Sequence, residues 1–244
     1  MDVSALILAV DTATPKGGVC LMRGDHVVTS IAGEANLSHS NTLLRDIEAA
    51  LHASSVSLQE IDLFAVAAGP GSFTGLRIGL ATIKALSATL DRPCIGVPTL
   101  QAVARAAGVS EATVALLPAG RGELFAQLLS VSLVGDVTER DAPVHLAASA
   151  IVEKYAALRD LTWAGAGAHV HRDLLREQAQ RAGAGFDESG AARSGWKLAK
   201  KNDNLAVEIA AIARHRQRIG ASGAAETLRA LYVRPSDPEL KECR

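Results

Sequence analysis

Residues 62–68 read Asp-Leu-Phe-Ala-Val-Ala-Ala, one polar residue and then apolar side chains without alternation, the pattern of a strand buried on both faces. Gly69-Pro70-Gly71-Ser72 stops that run sharply. Over residues 74–90 the period becomes helical, with Leu76, Leu80, Ile83, Leu86 and Leu90 recurring along one side. A fully buried strand joined to an amphipathic helix through a glycine-rich turn belongs to an α/β chain. A second unbroken apolar run, residues 5–10, ends at Asp11 and predicts another buried strand.

The remaining elements follow from the same two periods. Segments 18–23 and 26–32, divided by the hairpin dipeptide Gly24-Asp25, predict that three antiparallel strands open the chain. Residues 38–53 carry Leu43, Leu44, Ile47 and Leu51 at helical spacing behind Ser38, Ser40 and Asn41, which suit a helix start. A short strand over 94–97 follows Pro93. A second alternation then begins: a helix over 100–107, strands over 113–117 and 123–132, a helix over 149–158, a strand over 162–164 and a helix over 169–182. A loose stretch over 183–201, a long helix over 204–219 and a short strand over 228–234 complete it. With 244 residues, 48% of them apolar, the chain can build a core for one large domain or two lobes. The like contents of the halves predict a duplicated α/β architecture. One lobe spans 1–100 and the second 101–244, with the C-terminal helix free to pack back on the first.

Composition excludes several classes of function. Twenty-five Lys and Arg against 26 Asp and Glu leave a net charge of −1, so no general excess of positive charge releases counterions from a nucleic acid. Aromatic residues are 3% of the chain, too few for a base-stacking platform. Cys20, Cys94 and Cys243 form no CxxC pair, which argues against a zinc knuckle or a disulfide framework and for the reduced thiols of a cytoplasmic protein. The apolar stretch near the N-terminus is too short for a signal peptide or a membrane span.

Gly69-Pro70-Gly71-Ser72-Phe73-Thr74-Gly75 can present amide N–H groups to an anion at a helix start, or its glycines can simply permit a tight turn and close helix packing. It fits neither the Walker A pattern, nor GxGxxG, nor the nucleophile elbow. Asp11-Thr12-Ala13-Thr14 offers a carboxylate and hydroxyls for a metal-bridged phosphate, or forms a local Asx-type turn. Gly165-Ala166-Gly167 is a weaker loop of the same kind. His39 has Leu43, not a second ligand, one turn on, and no metal site is expected there. No catalytic constellation of paired carboxylates or Ser-His-Asp type is legible.

Three blocks carry a specific resemblance: Ile7-Leu8-Ala9-Val10-Asp11-Thr12-Ala13-Thr14, Ser38-His39-Ser40, and Gly69 through Gly79, GPGSFTGLRIG. Together they resemble the TsaB (YeaZ) family, most strongly over residues 6–105. The resemblance implies an actin-like ATPase (ASKHA, ribonuclease H-like) fold of two lobes of mixed sheet with helices. It implies a non-catalytic scaffold subunit without a cofactor, which binds and activates the TsaD-type transferase in synthesis of tRNA threonylcarbamoyladenosine beside the anticodon. A TsaE-type ATPase is then a further partner, and tRNA is met only through the complex. The TsaD-type His-x-x-x-His metal pair is broken here at Leu43. The helices over 40–53 and 74–90 are expected to dock on their TsaD counterparts through Leu43, Leu44, Ile47, Leu51, Leu76, Gly79, Leu80 and Ile83, a surface that can also pair with itself. Asp11, Thr12, Thr14, Gly71, Ser72, Thr74 and Gly75 are then vestigial phosphate-type loops. One departure is Pro118-Ala119-Gly120-Arg121-Gly122-Glu123, where many members carry Asp-Ala-Arg before Gly-Glu. The alternative is a free-standing ASKHA-type phosphotransferase or nucleotide hydrolase using Asp11 and the Gly71–Gly75 loop.

Overall fold

The computed structural model describes residues 5–34, 39–190, 192, 194–221 and 223–233; Ser38, Cys243 and the end of the strand expected over 228–234 lie outside them. The chain forms two compact units, Met1–Ala102 with Asp203–Ala230, and Val103–Asn202 with Leu231–Arg244.

In the first unit, β1 (Leu6–Asp11), β2 (Gly18–Arg23) and β3 (His26–Ala32) run antiparallel through the Gly24-Asp25 turn. β4 (Leu63–Gly69) joins β1 in parallel and β5 (Cys94–Pro98) joins β4, giving the order β3-β2-β1-β4-β5. Every residue of β1 and β4 is buried, as their unalternated sequences require. Helices α1 (His39–Ser54) and α2 (Phe73–Leu90) pack on one face of this sheet and touch each other, while α7 (Ala206–Arg218) packs across β1, β2, β4 and β5. Arg216 anchors α7 by donating to Gly96 O and Gln101 Oε1, each at 2.8 Å. α7 thus belongs to the first unit although it lies late in the sequence.

The second unit repeats the plan. After α3 (Thr99–Ala106), β6 (Ser110–Gly120) and β7 (Glu123–Val131) pair antiparallel; β10 (Leu161–Ala164) joins β6 in parallel, then β12 (Trp196–Leu198) and β11 (Phe186–Asp187) follow. Where the first sheet has β3, two short strands share β7: β8 (Val137–Glu139) and β9 (Val144–Ala147). With α4 (Ala148–Tyr155) and the helices α5 (Ala166–Val170) and α6 (Arg172–Arg181), they enclose a core centred on Tyr155, Trp163 and Trp196.

Several expectations are corrected. The helix expected over 169–182 is two helices that break at His171, because the chain is already helical from Ala166. The stretch expected to be loose over 183–201 contains β11 and β12, and 228–233 form no strand.

Candidate functional site

The loops after β1 and β4 are the only sequence-derived candidates for phosphate chemistry in the first unit, and the structure brings them together. Asp11, 1% exposed, turns its carboxylate back on its own loop: Oδ1 accepts from Ala13 N at 2.8 Å and Thr14 N at 3.3 Å, and Oδ2 accepts from Thr14 Oγ1 at 2.5 Å. This is the local Asx-type arrangement. The amides that could face an anion therefore already hold a carboxylate.

The glycine-rich loop closes on the same turn. Ser72 N donates to Ala13 O at 2.8 Å, and Ser72 Oγ caps α2 by accepting from Gly75 N at 3.2 Å. A Cβ on Gly71 would stand 2.5 Å from Ala13 O, on Gly75 1.9 Å from Thr12 O, and on Gly79 2.2 Å from Thr12 Oγ1. Gly71 and Gly75 let the loops and α2 meet backbone to backbone, and Gly79 makes room for the Thr12 side chain, which is the packing reading of the motif. Thr12 Oγ1 is buried without a hydrogen-bond partner, and Thr74 stays exposed on the first turn of α2. Arg77 is held at the same end of the helix with its guanidinium 3.9 Å from the Phe73 ring centroid. Among the described residues, no group of three or more His, Cys, Asp or Glu is placed to hold a metal ion.

The expected docking residues divide by face. Leu43 and Ile47 on α1, and Leu76, Gly79, Leu80 and Ile83 on α2, are buried within the chain's own unit. Leu44 stands out, 66% exposed, and Leu51 is half-buried. The outward face of α2 is one the apolar spacing did not reveal: Arg77, Ala81, Ala85 and Ala88 are all exposed, with Ile78 half-buried beside them. The signal was present as small residues recurring every three or four positions opposite the leucines.

In the second unit, Arg121 and Gly122 form the turn between β6 and β7 with φ of 53° and 77°. A side chain is rarely carried in that conformation. Near it His145 Nε2 lies 3.0 Å from Glu123 Oε2.

The sequence model of TsaD, tRNA N6-adenosine threonylcarbamoyltransferase, matches residues 31–216. The TsaB proteins of Escherichia coli and Haemophilus influenzae, each described as a tRNA threonylcarbamoyladenosine biosynthesis protein, are 38% identical over 101 residues and 34% identical over 138 residues. The chain belongs to the TsaB/YeaZ family. These alignments cover 41% and 54% of the chain, and 43% and 58% of the relatives' own lengths. The structure of YeaZ from Pseudomonas aeruginosa, 22% identical, superposes with a TM-score of 0.76 over 93% of this chain and 99% of that one. The TsaB/YeaZ fold is thus followed through both units, and it is the actin-like ASKHA fold with two mixed sheets.

Proposed function

We propose that this chain is a non-catalytic accessory subunit in tRNA threonylcarbamoyladenosine biosynthesis, which binds a TsaD-type transferase and holds it in its active conformation. The observation that carries the accessory reading is the contact between the Asp11 and Gly71 loops. Asp11 is engaged by three donors of its own turn, and Ala13 O sits against Gly71 and Ser72 N. A nucleotide-hydrolysing site would need that carboxylate turned to a metal-bridged phosphate and those amides free. Such a rearrangement costs the three hydrogen bonds that Asp11 accepts, each about 1 kcal/mol or more.

The docking face is the outward side of α1 and α2. Leu44 supplies an apolar anchor, Leu51 extends it, and Ala81, Ala85 and Ala88 let a partner helix approach closely. Leu43, Ile47, Leu76, Gly79, Leu80 and Ile83 support that face from beneath by fixing both helices to the sheet. A TsaE-type ATPase and tRNA join through the assembled complex.

Calorimetric titration of this chain against the TsaD-type protein of the same organism, with and without ATP, tests the reading. Association, with ATP turnover absent from this chain alone, is expected. No association, together with turnover that Asp11→Asn abolishes, would replace it with the phosphotransferase alternative.

A further inference from the structure

The 18 residues of α2 include no Asp or Glu, and the helix is charged only at Arg77 and Lys84. Arg77 is exposed on the outward side, one turn before Ala81 on the line that continues through Ala85 and Ala88. Its guanidinium lies 3.9 Å from the centroid of the Phe73 ring, one turn back along the same helix. Several other arginines lie against carboxylates: Arg45 on Asp46 at 3.4 Å, Arg140 on Glu111 at 3.6 Å, Arg176 on Asp173 at 2.7 Å, and Arg214 on Asp25. Among the described residues, no carboxylate pairs with Arg77.

A guanidinium stacked on an aromatic ring keeps its N–H edges available, and those edges match the two oxygens of a carboxylate. Stacking also removes part of the rotamer freedom that an exposed arginine would otherwise lose on binding. Lys84, half-buried seven residues on, adds a second positive charge, and no acidic side chain of α2 offsets either. A surface of one sign selects a partner of the other. The exposed alanines let a partner helix come close, so a side chain as long as arginine reaches past the line of contact to the partner's own surface.

We propose, resting on the docking reading above, that Arg77 sets partner choice on this face. Its guanidinium pairs with a carboxylate that the docked helix of the TsaD-type protein presents about one turn beyond the alanine contact. Phe73 is a positioning residue that acts through Arg77. Ala81, Ala85 and Ala88 govern how near a helix comes, and Arg77 governs which helix is accepted, because a neutral or basic side chain opposite it would leave the guanidinium desolvated and unpaired.

Calorimetric titration of the full chain against the TsaD-type protein of the same organism, at salt from about 50 mM to about 500 mM, tests this. The wild-type Kd should rise with salt. Arg77→Met should raise it at least about tenfold at low salt and flatten its salt dependence, and Arg77→Glu should raise it further. Arg77→Lys keeps the charge without the fork and should fall between wild type and Arg77→Met. Phe73→Leu should weaken binding in the wild-type chain and change nothing in Arg77→Met. If Arg77→Glu binds as wild type does while Ala85→Arg loses association, the face docks and the role of Arg77 is overturned. If the wild-type chain does not associate, the docking reading fails and the role of Arg77 with it. A loss in Arg77→Met that appears only with ATP present gives the guanidinium to a phosphate and overturns the pairing with a carboxylate. Should the variants fail to fold, phenylglyoxal labelling of the wild-type chain decides. Arg77 must react in the free chain and be protected in the complex, and equal labelling in both overturns the pairing.

Discussion

Thr12 shows how closely the first unit is fitted around its glycines. Its carbonyl oxygen lies where a Cβ on Gly75 would intrude to 1.9 Å, and its hydroxyl lies 2.2 Å from the corresponding position on Gly79. Gly75→Ala meets backbone and should lower stability by about 1–3 kcal/mol, measured by urea unfolding. Gly79→Ala meets chiefly the Thr12 hydroxyl, which has no hydrogen-bond partner, with Val66 Cγ2 a looser neighbour at 3.3 Å. Thr12→Ala should therefore recover most of the loss caused by Gly79→Ala, and simple additivity of the two changes in a double-mutant cycle would contradict this packing. A bulky residue at position 79 consequently probes the fold and not a docking face. The GPGSFTG segment was legible as a constrained turn, but its partner was not. Nothing in sequence spacing states that Ala13 O and Thr12 O are what the glycines make room for.

At the scale of elements, α2 ends on Asp91 in the left-handed conformation, φ 51° and ψ 48°, with its N–H bonded to Ser87 O. Glycine carries that conformation without a steric cost. Asp91→Gly should raise stability by about 0.5–1 kcal/mol, seen as a higher Tm. The outward face of the same helix gives a contrasting expectation. Ala85→Arg should weaken association with the TsaD-type protein at least tenfold in titration while changing the chain's own stability by no more than about 0.5 kcal/mol, because Ala85 is exposed. Long elements such as α1, α2 and α7, and the fully buried β1 and β4, stood out in the sequence because each carries a full period of its pattern. β8, β9, β11 and β12, at 3, 4, 2 and 3 residues, carry almost none. They form as additions to strands already in place, a condition set by the tertiary structure.

For the molecule as a whole, buried groups that resist ionisation are expected to lower stability at alkaline pH. Burial, reinforced by the charge of Glu208, pushes the Cys20 thiol from an ordinary 9.0 up to about 12. Burial and the hydrogen bond to Asp141 likewise push the Tyr155 hydroxyl up. A group raised in the folded chain favours folding least when the unfolded chain releases its proton first. Stability should therefore hold below pH 9 and fall from pH 9 toward pH 12. Cys20→Ala should flatten that fall in a series of denaturant midpoints. A midpoint that fell equally in the variant would exclude Cys20 as a contributor. The native thiol should also resist alkylation near neutral pH and react after unfolding.

The sequence by itself determined the α/β class, the three-stranded opening, the strand–turn–helix at GPGSFTG and the family, because local periods and a rare ordered motif need no distant partner to be read. Only the tertiary structure decided that α7 belongs to the first unit, that Asp11 binds its own turn, and that Leu76 and Leu80 face inward while Ala81 and Ala85 face outward. Each of those outcomes depends on which surface arrives from elsewhere in the chain. An apolar stripe at helical spacing specifies that something will cover it, and the sheet beneath α2 got there first.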